Sequence, residues 1–254
     1  MVEEMQREIV EKISATRVIT RPFPYIVVND ALPMRLRRAI DHAWPTPDMV
    51  FETNFARRKE RTVGRLAAEM VKLGRSDLGN VWKVVHAVTR EAGTAIREKL
   101  KRYRSDKYRP ILGPDWRRRL KDAHYETFNA QVAEYRGQIE LDPHVDNVRV
   151  EINGFIYLDD PDQPTPEPRR GTTVFRSNGF AWPSNLAIPM RLREHFLREE
   201  AEIGWKDNRL FAYVNGPWSF HGVPAHDLGD ARRRLLMLGT LLTEETVARV
   251  FETE

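Results

Sequence analysis

The segment QVAEYRGQIELDPHVDN, residues 131–147, decides how the rest of the chain is read. It ends on His144 and Asp146, two positions apart. In a strand, residues i and i+2 face the same side, so this imidazole and this carboxylate can reach one point in space. An HxD triplet arises often by chance and, in isolation, reads as an exposed turn. Its surroundings therefore have to decide. Around it lie short β-like runs: YETFNAQVAEY (125–135), VRVEINGFIYL (148–158), TTVFRS (172–177), RLFAYVN (209–215), WSFHGV (218–223) and RRLLMLGTLL (233–242). Turn signals such as RSNG, NGP and LGD separate them. Strands this short and numerous predict a sandwich or jelly roll over residues 123–243.

Upstream, the texture is different. Residues 2–14 repeat apolar positions near a 3.6-residue period, which predicts a helix. PFPYIVV (22–28) predicts a short strand. A helix is expected after Asp30 through about His42, with Pro33 in its first turn. Over 77–102, Val81, Val84, Val85, Val88, Ala92, Ile96 and Leu100 recur at three- and four-residue steps, with Trp82 and His86 beside the stripe. Residues 185–203 also read as helical, and the Pro-rich DDPDQPTPEPRRG (159–171) as a loop at the mouth of the β-core. No internal repeat or linker divides the chain. The expectation is one α+β domain spanning 1–254: mainly helical support over 1–122, packed against the β-core.

Composition removes several chemistries. The chain has no Cys, which excludes disulfides, thiolate-held zinc, Fe–S clusters and thiol nucleophiles. No apolar run approaches the roughly 20 residues a membrane helix needs. The acidic, amphipathic MVEEMQREIVEKI is unlike a signal peptide, so a cytoplasmic protein is expected. Net charge is +4, with basic clusters in ARRKER (56–61), KLKRYRSDKYRP (99–110) and WRRRLK (116–121). These read as solvated faces rather than a nucleic-acid surface, since no aromatic-rich basic strand accompanies them.

A third ligand to join His144 and Asp146 has to come from elsewhere, and His221 in WSFHGV is the best candidate. His226, five residues on, is the rival; it lies in AHDLGD (225–230), which reads as a polar turn. Two imidazoles and one carboxylate on one face of an octahedron leave three positions open, the arrangement of non-heme Fe(II) oxygenases.

The ordered set QVAEYRGQIELDPHVDN, GFIYLDD (154–160), GTTVF (171–175), FHGVPAH (220–226) and GDARRRLLML (229–238) resembles the Fe(II)/2-oxoglutarate oxygenase superfamily, in its prolyl-4-hydroxylase-like branch. PFPYIVVNDALP (22–33) is similar to that branch's entry strand and helix. The resemblance runs from about Arg21 to Thr243 and is strongest over 128–240. It implies a double-stranded β-helix (jelly-roll, cupin-like) core with Fe(II) at its open end. It also implies 2-oxoglutarate and O2 as co-substrates, release of succinate and CO2, and hydroxylation or desaturation of a substrate C–H. By the same resemblance, an Arg opening the strand after the distal His holds the far carboxylate of 2-oxoglutarate. Arg233 gives the better register, with Leu236 and Leu238 at the apolar positions, and Arg232 is second. No small residue follows, where the family pattern has one. Tyr135 and Tyr157 match positions whose hydroxyls reach the co-substrate.

Gln131 and Asn147 are expected to line the pocket, and Asn147 to steady Asp146. Trp182, Asn185 and Arg191, in the 178–206 insert, are candidates for substrate contact. Asp146 itself disfavours halogenation, because a carboxylate ligand occupies the place a chloride would need. A small-molecule substrate is expected, without membrane or nucleic-acid partners. The alternatives are an oxygenase acting on nucleic acid or protein, and a jelly-roll binding module without catalysis.

Overall fold

The computed structural model describes residues 1–46, 51–52, 59–127, 130–162 and 169–251. Its first element, α1 (Val2–Ala15), buries Met5, Ile9 and Ile13, one side chain per turn. β1 (Tyr25–Val28) follows, then α2 (Met34–Ala43). Here the expected start moves. Asp30 takes a left-handed backbone with φ 51°, in a turn, and Pro33 caps the helix, where a missing N–H costs nothing. Two short strands that helical periodicity did not suggest come next, β2 (Phe51–Glu52) and β3 (Lys59–Thr62). The intervening residues 53–58, with the first half of the ARRKER cluster, lie outside the described residues. α3 (Val63–Lys72) precedes α4 (Ser76–Leu100), which buries Trp82, Val85, Val88, Ala92, Ile96 and Leu100 along the expected stripe. α5 (Arg104–Leu112) and α6 (Trp116–Arg119) close the helical half.

The β-core comprises β4 (Tyr125–Thr127), β5 (Gln131–His144), β6 (Val150–Asp159), β7 (Thr172–Ser177), β8 (Leu197–Ile203), β9 (Arg209–Val214) and β10 (His221–Leu242). The four-residue α7 (Arg193–Phe196) leads into β8, and α8 (Glu244–Phe251) follows β10. The helix expected over 185–203 is therefore mostly a strand. Its Glu and Arg are good helix formers, but Leu197–Ile203 pairs antiparallel with β7, and tertiary pairing overrides propensity. Of the loop expected over 159–171, residues 163–168 lie outside the described residues.

The strands roll into a jelly roll, and β10 is its spine. The first residues of β10 pair with β7 (His221 with Val174) and with the end of β5 (His221 with His144). Its later residues run centrally in the larger sheet, Arg233–Met237 between Tyr135–Gln131 of β5 and Asp159–Phe155 of β6. The larger sheet runs β1-β9-β6-β10-β5-β3-β2. The polar turn expected at AHDLGD is a bulge inside β10: register slips between Asp227 and Arg232, and Gly229 supplies φ 56°.

Alternation divides the sheet's side chains between two cores. Outward-facing Val132, Ile152, Ile156, Leu236 and Leu238 join the buried residues of α1–α4 in one apolar cluster. Inward-facing Ala133, Tyr135, Tyr157, Tyr213, Leu235 and Met237 belong to a second cluster inside the roll. The second is incompletely filled, and the space left over is the site. No helix among the described residues is long and apolar enough to cross a membrane.

Candidate metal and co-substrate site

A cavity of about 550 Å³ opens inside the roll, lined at one end by His144, Asp146 and His221 and at the other by Arg233. β5 delivers His144 at its last residue and β10 delivers His221 at its first. The two are directly paired across the ladder, with ring centroids 4.3 Å apart. Gly222 permits this approach: a Cβ there would sit 2.7 Å from the Leu141 carbonyl oxygen. Asp146 lies just beyond β5, where Val145 N donates to the Leu186 carbonyl. One ligand atom from each of the three residues falls within 4.8 Å of the others.

Backbone contacts decide the tautomers. The Nδ1 of His144 is 2.9 Å from the Asp142 carbonyl oxygen, and that of His221 is 2.9 Å from the Ser219 carbonyl oxygen. A carbonyl only accepts, so both Nδ1 atoms carry the proton and both Nε2 atoms turn a lone pair inward. Burial and the neighbouring His144 push the His221 imidazole down, to about 4, which keeps it neutral. Burial alone would raise the Asp146 carboxyl. The hydrogen bonds from Tyr213 and Asn153 oppose this, and the group is held below its ordinary range. Two neutral nitrogens and one carboxylate, converging without a thiolate, fit a divalent iron with open positions.

The opposite end carries a buried cation. Arg233 is 2% exposed, and its Nε and Nη2 are buried with no hydrogen-bond partner among the described residues. Its guanidinium lies 4.5 Å over the Trp205 ring. Burial lowers it to about 10, so it remains cationic. Buried donors left unpaired are costly, and a carboxylate accepting from the guanidinium edge would satisfy both. Its neighbours face the other way. Arg234 pairs with Asp160 at 2.7 Å, beside Trp44, and Arg232 is 4.0 Å from the same carboxylate. Neither lines the cavity.

Tyr135 and Tyr157 both line it. Tyr157 stacks on Trp205 at 4.6 Å and its hydroxyl meets Thr172 Oγ1 at 2.7 Å; burial raises it to about 12. Gln131, Asn147 and Asn185 line the wall as well. Trp182 is 45% exposed and does not line the cavity, and Arg191 is exposed. Asn147 does not steady Asp146; its Oδ1 accepts from Arg149 N instead. That task falls to Asn153, whose Nδ2 donates to Asp146 Oδ2 at 3.0 Å, and to the Tyr213 hydroxyl at 2.6 Å. Sequence reasoning missed both, although an Asn inside the apolar run VRVEINGFIYL is a legible signal.

Part of the 99–121 basic cluster also turns inward rather than to solvent. The buried Lys107 donates to the carbonyls of Val148 and Val150, just after the HxD segment. Burial lowers its ammonium to about 7. Arg104 joins Arg97 on the fully buried Glu151.

No protein-family model matches the chain, and no curated protein matches it. Among solved structures, it is similar to HygX from Streptomyces hygroscopicus with nickel and 2-oxoglutarate bound: 11% identity, 87% of this chain and 83% of that one, TM-score 0.46. It is also similar to a prolyl hydroxylase of Trichoplax adhaerens in complex with a hypoxia-inducible-factor peptide, at 12% identity over 100% and 94% of the two chains, TM-score 0.45. AviO1 from Streptomyces viridochromogenes aligns at 9% identity over 94% and 95%, TM-score 0.46.

Proposed function

We propose that this protein is an Fe(II)- and 2-oxoglutarate-dependent oxygenase that hydroxylates or desaturates an unactivated C–H of a small molecule. The observation that carries the reading is one cavity holding both halves of the required chemistry. Two inward Nε2 lone pairs and a carboxylate stand at one end, and at the other a buried guanidinium whose Nε and Nη2 have no hydrogen-bond partner among the described residues.

His144, Asp146 and His221 would hold the iron, and Arg233 the far carboxylate of 2-oxoglutarate. Bound iron with 2-oxoglutarate and O2 would supply the oxidising power for a C–H bond, with succinate and CO2 released. The residues of this chain bind and orient. Arg233 presents its fork along the cavity, Trp205 fixes the guanidinium plane, and Tyr135 stands opposite Arg233 on the neighbouring strand. Apolar Ile139, Leu141, Phe155, Val223, Leu235 and Met237 exclude water and leave room beside the metal end. A cavity of about 550 Å³ lies within the ordinary range for small-molecule sites, which favours a compact substrate over a polymer.

Calorimetric titration with Mn(II), followed by 2-oxoglutarate, tests the reading without knowledge of the substrate. One metal per chain and metal-dependent binding of 2-oxoglutarate are expected. A metal-loaded protein that ignores 2-oxoglutarate would sink it. Substrate-stimulated succinate release under air then identifies the compound oxidised.

A further inference from the structure

Tyr213 is fully buried on β9, and its ring packs against Phe211 at 5.3 Å and Phe23 at 5.7 Å. A phenylalanine would make those contacts equally well. The hydroxyl is what needs explaining, because a buried phenol has to find partners. It finds three, all at the metal end. It lies 2.6 Å from Asp146 Oδ2 and 2.8 Å from His221 Nε2, and it accepts from Asn153 Nδ2 at 3.1 Å. The Asn153 amide is itself oriented, because its Oδ1 accepts from Gly154 N at 2.9 Å. Its Nδ2 therefore points at both Tyr213 and Asp146 Oδ2.

The phenol has one proton and two acceptors. His221 cannot donate from Nε2, because its proton is on Nδ1, facing the Ser219 carbonyl. A metal ion taking the Nε2 lone pair removes one acceptor and leaves the phenol proton wholly to Asp146 Oδ2. That oxygen then receives two hydrogen bonds, from Tyr213 and from Asn153. The other oxygen, Oδ1, faces His144 Nε2 at 3.7 Å and is left for the metal.

We propose that Tyr213 is a positioning residue that makes Asp146 bind the metal through Oδ1 alone. The inference rests on the reading of His144, Asp146 and His221 as a metal site. Its consequence is coordination number: a carboxylate bound through both oxygens would consume one of the three positions that the co-substrates need.

Tyr213→Phe tests it on protein loaded with Mn(II) or Co(II), without turnover. Loss of an outer hydrogen-bond partner typically costs about 10–100-fold in metal affinity, and a weakening of about 10-fold or more is expected. The visible Co(II) absorption should weaken and shift as Asp146 becomes free to bind through both oxygens. The melting temperature in excess EDTA checks the fold. If the variant does not fold, Asn153→Ser removes the other donor to the same oxygen and is read in the same way. Wild-type metal affinity with an unchanged Co(II) spectrum overturns the role of Tyr213 alone. A wild-type protein that binds no divalent metal overturns the oxygenase reading with it.

Discussion

Along β10, Leu236 and Leu238 turn outward into the cluster shared with α1–α4, whereas Arg233, Leu235 and Met237 turn inward and line the cavity. The two sets are interleaved in one strand, yet they meet different demands. The outward face is packed shut by helices, so it contributes stability through apolar burial. The inward face leaves about 550 Å³ unfilled and holds a cation with unpaired donors, which a fold selected for stability alone would avoid. Neighbouring strands divide likewise: on β6, Ile152 and Ile156 pack outward while Asn153, Phe155 and Tyr157 line the cavity. Strand alternation thus keeps the stabilising residues and the binding residues on opposite sides of one sheet.

The largest expected effect is on the inner face, at the metal end. His221→Ala, or Asp146→Ala, removes one of the three ligands proposed for the metal, so Mn(II) affinity and activity should each fall by orders of magnitude. The outer cluster is untouched, and the metal-free melting temperature should stay close to that of wild type. Collapse of the fold in EDTA would show that the two faces are not separable in this way.

Next is Arg233→Ala. Removing one partner of a buried charge pair costs about 2–5 kcal/mol, hence roughly 30-fold or more in 2-oxoglutarate affinity. Metal affinity should not change. In the absence of 2-oxoglutarate the variant should be no less stable than wild type, because the lost side chain was a buried cation whose Nε and Nη2 have no hydrogen-bond partner among the described residues. Calorimetry and thermal melts read both halves; unchanged 2-oxoglutarate affinity would move the anion site elsewhere.

Leu236→Ala makes the reciprocal test. Leu236 is fully buried against the helices, and such truncations cost about 2–5 kcal/mol of stability. Denaturant melts should show that loss while the surviving folded protein binds Mn(II) and 2-oxoglutarate as before. A weakened metal site would show that the outer packing also sets the inner geometry.

How much of this was legible follows from the same division. Helices α1 and α4 were readable because their buried faces repeat every turn, and the inward register of Arg233 because alternation sends Arg232 and Arg234 to the other side. β8 was not readable, since Glu- and Arg-rich Leu197–Ile203 favours a helix until β7 is there to pair with it. The single-residue span of HxD marked the end of the cavity where His144, Asp146 and His221 converge. Asn153 left a local trace, an amide inside an apolar run, but its task did not: like the whole role of Tyr213, it depends on three strands meeting, which no local pattern encodes. Lys107 and Arg104 were hidden for a similar reason: within a basic run, nothing local distinguishes the cation that turns inward to Val148 or Glu151.

The smallest expected effect concerns His226, the one histidine whose sequence position competes with His221. Its Nδ1 is 2.8 Å from the Pro224 carbonyl oxygen, so it too holds its proton toward the backbone and presents an Nε2 lone pair, here buried and without a hydrogen-bond partner among the described residues. In its chemistry it is as good a ligand as His221; location distinguishes them. His221 lies opposite His144 in the ladder, whereas His226 lies opposite Ile139, five residues back along β5, and does not line the cavity. At about 3.3 Å of strand rise per residue, that separation is several times a metal–nitrogen bond. Burial lowers its imidazole, and the proximity of Arg233 adds to the effect. His226→Ala should therefore leave Mn(II) affinity within about twofold of wild type, a change below the roughly 1.4 kcal/mol that a tenfold effect represents. Its influence, if measured at all, belongs at the anion end, as a slight change in 2-oxoglutarate binding through Arg233. Loss of metal binding in this variant, with retention in His221→Ala, would exchange the two histidines and move the site five residues along β10.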